Sequence, residues 1–382
     1  MIGITRVPFG DLVETVSYRG HQVDASRFLP SGQYPVVDQG ENEIAGYVND
    51  VEPIKAPLPL VVFGDHTRNV KFADRPFVVG ADGVKLLRPK DQRIGARYLY
   101  WLTIFAGSRI PNLGYSRHFS SLREVVVPVL ESAEARAKAA FYLDRVQHIV
   151  DTLSAVIAAK RDFNRGLMQE LLTARRRFPE FASEPWVEAL LGDLFSERSE
   201  IGFEHLPLLA VTGDRGVVLR DELDRRDTSS ADKAKYKRVC PGDIAYNTMR
   251  MWQGVSGLSQ YEGIVSPAYT VVTPAGPMMG QYARHLFKLP MIVHSFWRHS
   301  QGLVDDTLSL KFPRFAQIRV TYPSRLDEQE RIASVLDAID REIEILMQIR
   351  TAYDDQQRGL VQKLLTGELT VPVSSEPEPV HA

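Results

Sequence analysis

The nine residues RGLMQELLT (Arg165–Thr173) return as RGLVQKLLT (Arg358–Thr366), identical at seven of nine positions and 193 residues apart in a chain of 382. Moving towards the N-terminus at the same offset, Ala139, Leu143, Val146, Val150 and Leu153 fall on Ile332, Leu336, Ile339, Ile343 and Leu346. Further on, Ile157, Lys160, Asn164, Leu167 and Leu171 fall on Arg350, Tyr353, Gln357, Leu360 and Leu364. Steps of four and three are the a/d spacing of a heptad repeat. No proline interrupts either segment, so each is read as one amphipathic helix of about 35 to 40 residues, on the order of 50–60 Å long.

A helix of that length cannot bury a narrow apolar stripe on itself. The two copies are therefore expected to pack on each other as a coiled coil, with Leu143, Val146, Val150 and Leu153 of one and Leu336, Ile339, Ile343 and Leu346 of the other in the seam. Two unrelated core helices would have no reason to share a register. Asn164 and Gln357 occupy the same seam position, where a polar residue sets alignment at some cost in stability. Gly166 and Gly359 each cost roughly 1 kcal/mol against alanine inside a helix, and their recurrence predicts a close neighbouring backbone or a local bend. Asp144 falls on Asp337.

The duplication reaches beyond the helices. VPFGDLVE (Val7–Glu14) and ALLGDLFSE (Ala189–Glu197) share Gly-Asp-Leu, and each opens a non-helical region. The predicted organisation is a globular region over 1–128, a helical segment over 129–178, a second globular region over 179–323, a second helical segment over 324–371 and a disordered tail over 372–382. RRRFPEFASEPW marks the joint between the halves, and the tail is rich in Pro, Ser and Glu. Within the globular regions, YPVVDQG, IAGYVND, LPLVVFGDH, RNVKFAD and RPFVVGADGVKLLRP read as short strands, as do GVVLRDEL, GDIAYNTM and EGIVSPAYTVVTP. ARYLYWLTIFAG and QYARHLFKLPMIVHSFWRHSQG read as helical covers. The fold class is α+β.

Composition narrows the function classes. The hydrophobic and charged fractions, 44% and 25%, are those of an ordinary soluble protein. No apolar run approaches the roughly 20 residues that span a bilayer, and MIGITRVPFGDLVETV lacks the regions of a signal peptide. A lone Cys240 permits no internal disulfide, and a cytoplasmic location is expected. A net charge of -2 neither favours nor excludes nucleic acid, since a basic face can be balanced elsewhere.

The loops carry the functional signal. RDELDRRDTSSADKAKYKR holds Arg226, Lys233 and Lys235, and YNTMRMWQG holds Asn247, Arg250 and Gln253. In the first half, GDHTRNVKF holds Arg68 and Lys71, and YSRHF holds Arg117 and His118. Arg, Lys, Asn and Gln match base edges bidentately, and Lys, Ser and Thr reach phosphates. These ten residues are the candidate DNA contacts; Tyr246 and Trp252 are read as packing residues. No GxxxxGK[ST] loop, no GxGxxG turn, no Pro-Pro-Tyr/Phe methyltransferase tetrapeptide and no nuclease core is found. His294 and His299 stand five apart, on different helix faces, and are not expected to bind metal. No catalytic residue and no metal ligand is expected.

YPSRLDEQERIASVLDAID followed by RGLVQKLLTGELTV is similar to the conserved regions of type I restriction–modification specificity subunits. The first copy, VPVLESAEARAKAAFYLDR, departs from that pattern at Ala135 and Arg136, where the second has Glu328 and Gln329, and Ala174 stands where glycine is usual. GDHTRNVKFADRPFVVGADGVKLL and GYSRHF resemble one class of target-recognition domain; DRRDTSSADKAKYKRVCPGDIAYNTMRMWQG, YEGIVSPAYTVV and SQGLVDDTLSLKF resemble another. The resemblance implies two target-recognition domains alternating with two helices that pack as an antiparallel coiled coil in a pseudo-two-fold internal repeat. It implies a non-catalytic subunit reading a split target in double-stranded DNA, with the helices spacing the halves and docking methyltransferase (modification) subunits. No cofactor is expected on this chain. S-adenosylmethionine, ATP and Mg are expected on partners, which the resemblance extends to restriction/translocase subunits; no membrane is expected. The alternatives are a coiled-coil adaptor whose domains bind proteins, and a self-sufficient DNA enzyme.

Overall fold

A computed structural model describes residues 3–80, 83–111, 116–223, 232–302 and 307–370. The chain opens with β1 (Ile4–Pro8), α1 (Phe9–Leu12), β2 (Val13–Val16), β3 (Gln22–Val23), β4 (Tyr34–Val37) and β5 (Gly46–Val48). There follow β6 (Leu60–Gly64), β7 (Val70–Ala73), β8 (Val78–Gly80), β9 (Val84–Pro89), α2 (Ala96–Gly107), α3 (Phe119–Glu124) and β10 (Val126–Leu130). The long helix α4 (Ala133–Leu171) leads to β11 (Trp186–Leu190), α5 (Leu191–Leu194), β12 (Phe195–Arg198), β13 (Leu209–Thr212) and β14 (Gly216–Leu219). Then come β15 (Lys237–Val239), β16 (Ile244–Asn247), β17 (Ser256–Leu258), β18 (Gly263–Val265) and β19 (Tyr269–Pro274). The chain closes with α6 (Gly280–Leu286), α7 (Pro290–His299), α8 (Phe312–Phe315), β20 (Arg319–Pro323) and the second long helix α9 (Leu326–Leu365). The tail expected to be disordered, 372–382, lies outside the described residues.

The chain divides into two compact units, one of residues 1–154 and 348–382, the other of residues 155–347. Each long helix gives about half its length to each unit, so the first unit is built from two separate stretches of sequence and the second from one.

In the first unit, β2-β9-β6-β7 form an antiparallel sheet, and β3-β8-β4-β5 form a second in which β8 runs parallel to both β3 and β4. Every residue of β6 is buried, and its side chains alternate between two cores. Val61 and Phe63 join α2 residues Trp101 and Phe105, Ala139 and Leu143 of α4 and Val361, Leu364 and Leu365 of α9. Leu60 and Val62 face the other way, with Phe77, Val79 and Leu86. The second unit repeats the order as β12-β19-β16-β17. Ile244 and Tyr246 enter the helix-covered core with Leu171 and Leu336, while Ala245 faces Val239 and Val265.

Both units begin alike. β1 pairs with β10 and β11 with β20, antiparallel, and a one-turn helix follows the first strand of each pair. A Cβ built on Gly10 would lie 3.1 Å from Cβ of Arg123 and 3.2 Å from its carbonyl; one on Gly192 would lie 2.8 Å from Cβ of Ala316. Arg123 and Ala316 stand at the 193-residue offset, so the repeated Gly-Asp-Leu is explained by a close approach that a side chain would fill.

The long helices pack antiparallel within each unit. In the second, Lys160 pairs with Glu342 at 2.6 Å, and Asn164 donates to Asp340 at 2.8 Å. In the first, Gln357 donates to Gln147 at 2.9 Å. Asn164 and Gln357 thus fix alignment by bonding to residues outside the seam pair. Leu143, Val150, Leu336 and Ile343 are buried and Val146, Leu153, Ile339 and Leu346 half-buried, as the heptad requires. Arg350 departs from it, lying exposed in an ion pair with Asp354. Gly166 and Gly359 correct the expectation of a close backbone: a Cβ at either meets nothing within 4 Å.

The recurring aspartate is a fastener. Asp144 accepts the indole N–H of Trp101 at 2.8 Å and pairs with Arg97 at 3.3 Å. Asp337 accepts from His285 and Arg284, each at 2.5 Å. Burial pushes the Asp144 carboxyl up, beyond what Trp101 and Arg97 offset. Burial acts the same way on Asp337, but hydrogen bonds from His285 and Arg284 outweigh it and hold that carboxyl below the usual carboxylate range.

Two of the departures in the first copy, Arg136 and Ala174, keep a contact that their counterparts make. Gln329 donates to the carbonyls of Pro277 (2.7 Å) and Pro323 (3.0 Å). Arg136, at its offset position, donates to Leu130 (2.5 Å), Glu131 (2.8 Å) and Arg93 (2.9 Å), Leu130 being the counterpart of Pro323. Ala174 and Gly367 both take a left-handed backbone, φ 58° and 72°. Each closes its helix with a matching bond, Arg176 N–H to Glu170 at 3.2 Å and Leu369 N–H to Lys363 at 3.0 Å. In both, the bond spans six residues and encloses the left-handed residue, a common conformation just past a helix end.

Candidate nucleic-acid interface

Two segments singled out by side-chain chemistry occupy the same place in their units. GDHTRN is the β6–β7 turn, and the turn of NTMRMWQG joins β16 to β17, the equivalent hairpin in the sheet order. The segment before the short helix α3 or α8 also meets that turn in the same way. His118 N–H donates to the Asp65 carbonyl and Leu310 N–H to the Thr248 carbonyl, each at 2.8 Å.

In the first unit the turn is tightly tied. Asp65 N–H donates to Gly83, and the buried Asp65 carboxylate accepts the N–H of Phe119 at 2.7 Å and faces Lys85 at 3.8 Å. Gln39, which sequence reasoning missed, is the hub. Its carbonyl accepts from Thr67 (2.6 Å) and Asn69 (3.0 Å), and its side-chain oxygen accepts the His66 N–H. Nothing in the local pattern of YPVVDQG signals that role. Arg68 has a positive φ of 64° and spends its guanidinium on the Ile110 carbonyl at 2.9 Å.

The four first-unit candidates therefore separate. Arg117 is exposed, with no side-chain partner among the described residues. Lys71 is corrected: its ammonium is buried, paired with Asp38 at 3.2 Å and donating to the Asn42 carbonyl at 2.5 Å. It braces the sheet edge and is not presented to a ligand. His118 is corrected too, because its ring is buried. Arg68 is half-buried and committed to a carbonyl.

In the second unit, Asn247 Oδ1 accepts the Met249 N–H at 3.0 Å, the local bond that makes Asn a turn former. Met251 is buried and anchors the turn, Gly254 closes it with φ 78°, and Thr248 Oγ1 donates to Ala268 at 2.5 Å. Arg250 and Gln253 are exposed at its tip, Asn247 half-buried. Lys235 is exposed and Lys233 half-buried, while Arg226 lies outside the described residues. The neighbouring cations are already matched: Lys237 with Glu197, Arg238 with Glu200 and Glu262, Arg198 with Asp243. Tyr246 is fully buried and stacks on Phe315; Trp252 is half-buried and donates to the Met249 carbonyl.

Lys288, also missed, is half-buried and donates to the carbonyls of Gly254 (2.6 Å), Ser256 (2.9 Å) and Gly213 (3.3 Å). Burial lowers its ammonium to about 8. Among the described residues no group of three or more His, Cys, Asp or Glu is placed to hold a metal ion, and no helix is long and apolar enough to cross a membrane.

No protein-family model matches the chain, and no curated protein matches its sequence. Its fold does match solved structures. The crystal structure of a type I restriction–modification system S subunit from M. genitalium aligns with a TM-score of 0.63 at 14% identity, covering 95% of this chain and 96% of that one. A chain from a structure describing complex assembly and conformational transition of the type I R-M system aligns with a TM-score of 0.50 at 13% identity, covering 96% and 98%. The fold of this chain is that of a type I restriction–modification S subunit.

Proposed function

We propose that the chain is the sequence-specific DNA-binding subunit of a type I restriction–modification complex and has no catalytic site of its own. The observation that carries this reading is the equivalent placement of two polar turns, each on the same hairpin of a like-ordered sheet. Arg117, in the segment that meets the turn of one unit, and Arg250 and Gln253, on the turn of the other, are exposed, with side chains suited to phosphates and base edges. The regions 1–128 and 179–323 are the target-recognition domains, each reading one half of a bipartite duplex target. The helical segments 129–178 and 324–371 set the half-site spacing and dock methyltransferase subunits.

A pseudo-two-fold internal repeat is part of this reading, supported by equivalent contacts in the two units. The offset of 193 residues carries Gln147 onto Asp340 and Asn164 onto Gln357, so the two cross-helix bonds exchange with one another. The partners bind S-adenosylmethionine and methylate adenine N6; restriction/translocase subunits using ATP and Mg join for cleavage. The working compartment is the cytoplasm.

The deciding experiment expresses the chain with its methyltransferase partner and maps methylated adenines across the host genome. The expected result is one split target with a fixed gap. Adding one heptad to both α4 and α9 then widens that gap. A methylation pattern with no common motif rejects the DNA-reading role, and leaves a coiled-coil adaptor that binds proteins. An unchanged gap rejects the spacer role alone. Methyl transfer by the chain without partners rejects the non-catalytic assignment.

A further inference from the structure

The second unit has a helix for which the first shows no counterpart among its described residues. α7 stands between α6 and α8, whereas α3 is the next helix after α2. Pro290 occupies its first turn, where the missing N–H costs nothing. Ile292 and Phe296 are buried against the core. Val293 lies against the candidate reading turn, since a Cβ built on Gly254 would come 3.2 Å from its Cγ2. Lys288, just before α7, holds the Gly254 and Ser256 carbonyls of the same hairpin. Helix and turn therefore make one surface.

Trp297 continues the row of Val293 one helical turn on. It is 46% exposed and stacks on His294 with ring centroids 5.5 Å apart. Met291, 59% exposed, and Arg298 complete the outer face. α7 carries no acidic residue, and Arg298 has no side-chain partner among the described residues. The adjoining turn exposes Met249, Arg250 and Gln253. An apolar patch joined to unmatched cations marks an interaction surface. The lack of any carboxylate on α7, and its continuity with an arginine-bearing turn, suit a polyanion better than a protein.

We propose that the outer face of α7 is a second contact for duplex DNA, gripping the sugar–phosphate backbone beside the turn. Arg298 meets a phosphate, Trp297 and Met291 lie against deoxyribose, and His294 holds the indole in place. The inference rests on the DNA-reading role proposed above. Because sugars and phosphates carry no sequence information, the face contributes affinity and leaves the choice of target to the turns.

The test uses the full-length chain in complex with its methyltransferase subunits. Fluorescence anisotropy is read over a salt series with two labelled duplexes, one carrying the mapped target and one scrambled. Trp297→Ala and Arg298→Ala are each expected to weaken both duplexes roughly three- to tenfold with the ratio between them unchanged. Arg298→Ala is expected to lower the salt slope by about one. Circular dichroism checks that each variant is folded, and Arg298→Gln repeats the measurement with a side chain of similar length. Unchanged affinity overturns the proposal. So does an altered ratio between duplexes, which makes α7 a base reader, or loss of partner subunits with DNA affinity intact, which makes it a protein-docking face. In all three the DNA-reading role stands; in this assay that role falls if the wild-type complex does not prefer the mapped duplex to the scrambled one.

Discussion

Ala174 and Gly367 offer a paired test of how the long helices end. Both sit just past a helix, both have positive φ, and both are followed by the same closing hydrogen bond. A residue with a Cβ in that conformation costs about 1–2 kcal/mol, and glycine escapes this cost while giving back roughly 0.4–1 kcal/mol through its freer unfolded chain. Ala174→Gly should therefore stabilise the second unit by about 0.5–1 kcal/mol. For a unit of that size the gain raises its unfolding midpoint by roughly 1–4 °C. The reverse change, Gly367→Ala, adds the backbone cost and also presses on Ile4, whose Cδ1 would lie 2.5 Å from the new Cβ. It should destabilise the first unit by about 1–2 kcal/mol. Thermal unfolding followed by circular dichroism, with guanidinium titrations alongside, measures both. If Ala174→Gly lowers the midpoint or leaves it unmoved, the left-handed cap is not a source of strain and the reasoning fails.

Arg136→Ala removes the donor from three carbonyls and should cost about 3 kcal/mol, with Arg136→Gln costing less because Gln329 serves the counterpart site; equal losses in denaturant titrations would contradict that equivalence. The two aspartate fasteners should respond oppositely to acid. Asp337, held below its ordinary value of 3.8, contributes stability above that value and loses it as the pH falls through its lowered folded pKa. Asp144, raised above 3.8, disfavours the fold when charged and relieves it as the pH falls through its raised folded pKa. Stability between pH 5 and 3 should accordingly fall less steeply in Asp337→Asn and more steeply in Asp144→Asn, and a common direction in both variants would refute the assignment. Lys71→Met, leaving Asp38 without its partner, should cost about 2 kcal/mol without changing which duplex is preferred, whereas Arg250→Ala should change the preference at unchanged stability.

Much of this was legible from periodicity, and the remainder turned on distance in sequence. The heptads located α4 and α9 because burial along a helix leaves a period in the chain, and Arg350 is the exposed exception. The hairpin turns were legible because turn-forming residues act locally: Asn247 bonds two residues on. Lys71 and His118 misled because a cation's availability depends on partners far away in the chain. Asp38 lies 33 residues before Lys71, and no local pattern announces it. Gln39 and Lys288 were invisible for the same reason, since each works through backbone carbonyls that any sequence supplies. The recurrence of Asp144 and Asp337 was visible, but the rings that hold them, Trp101 and His285, are not alike and share no motif.

That dissimilarity says what the long helices demand of anything seated on them. Indole and imidazole differ in size, charge and titration, yet each offers an N–H to the same carboxylate beside an arginine. The fitting specifies a donor and a cation on one short helix and is indifferent to the residue that supplies them. Either globular region can accordingly differ through most of its sequence and still hold its helix, provided those two groups survive.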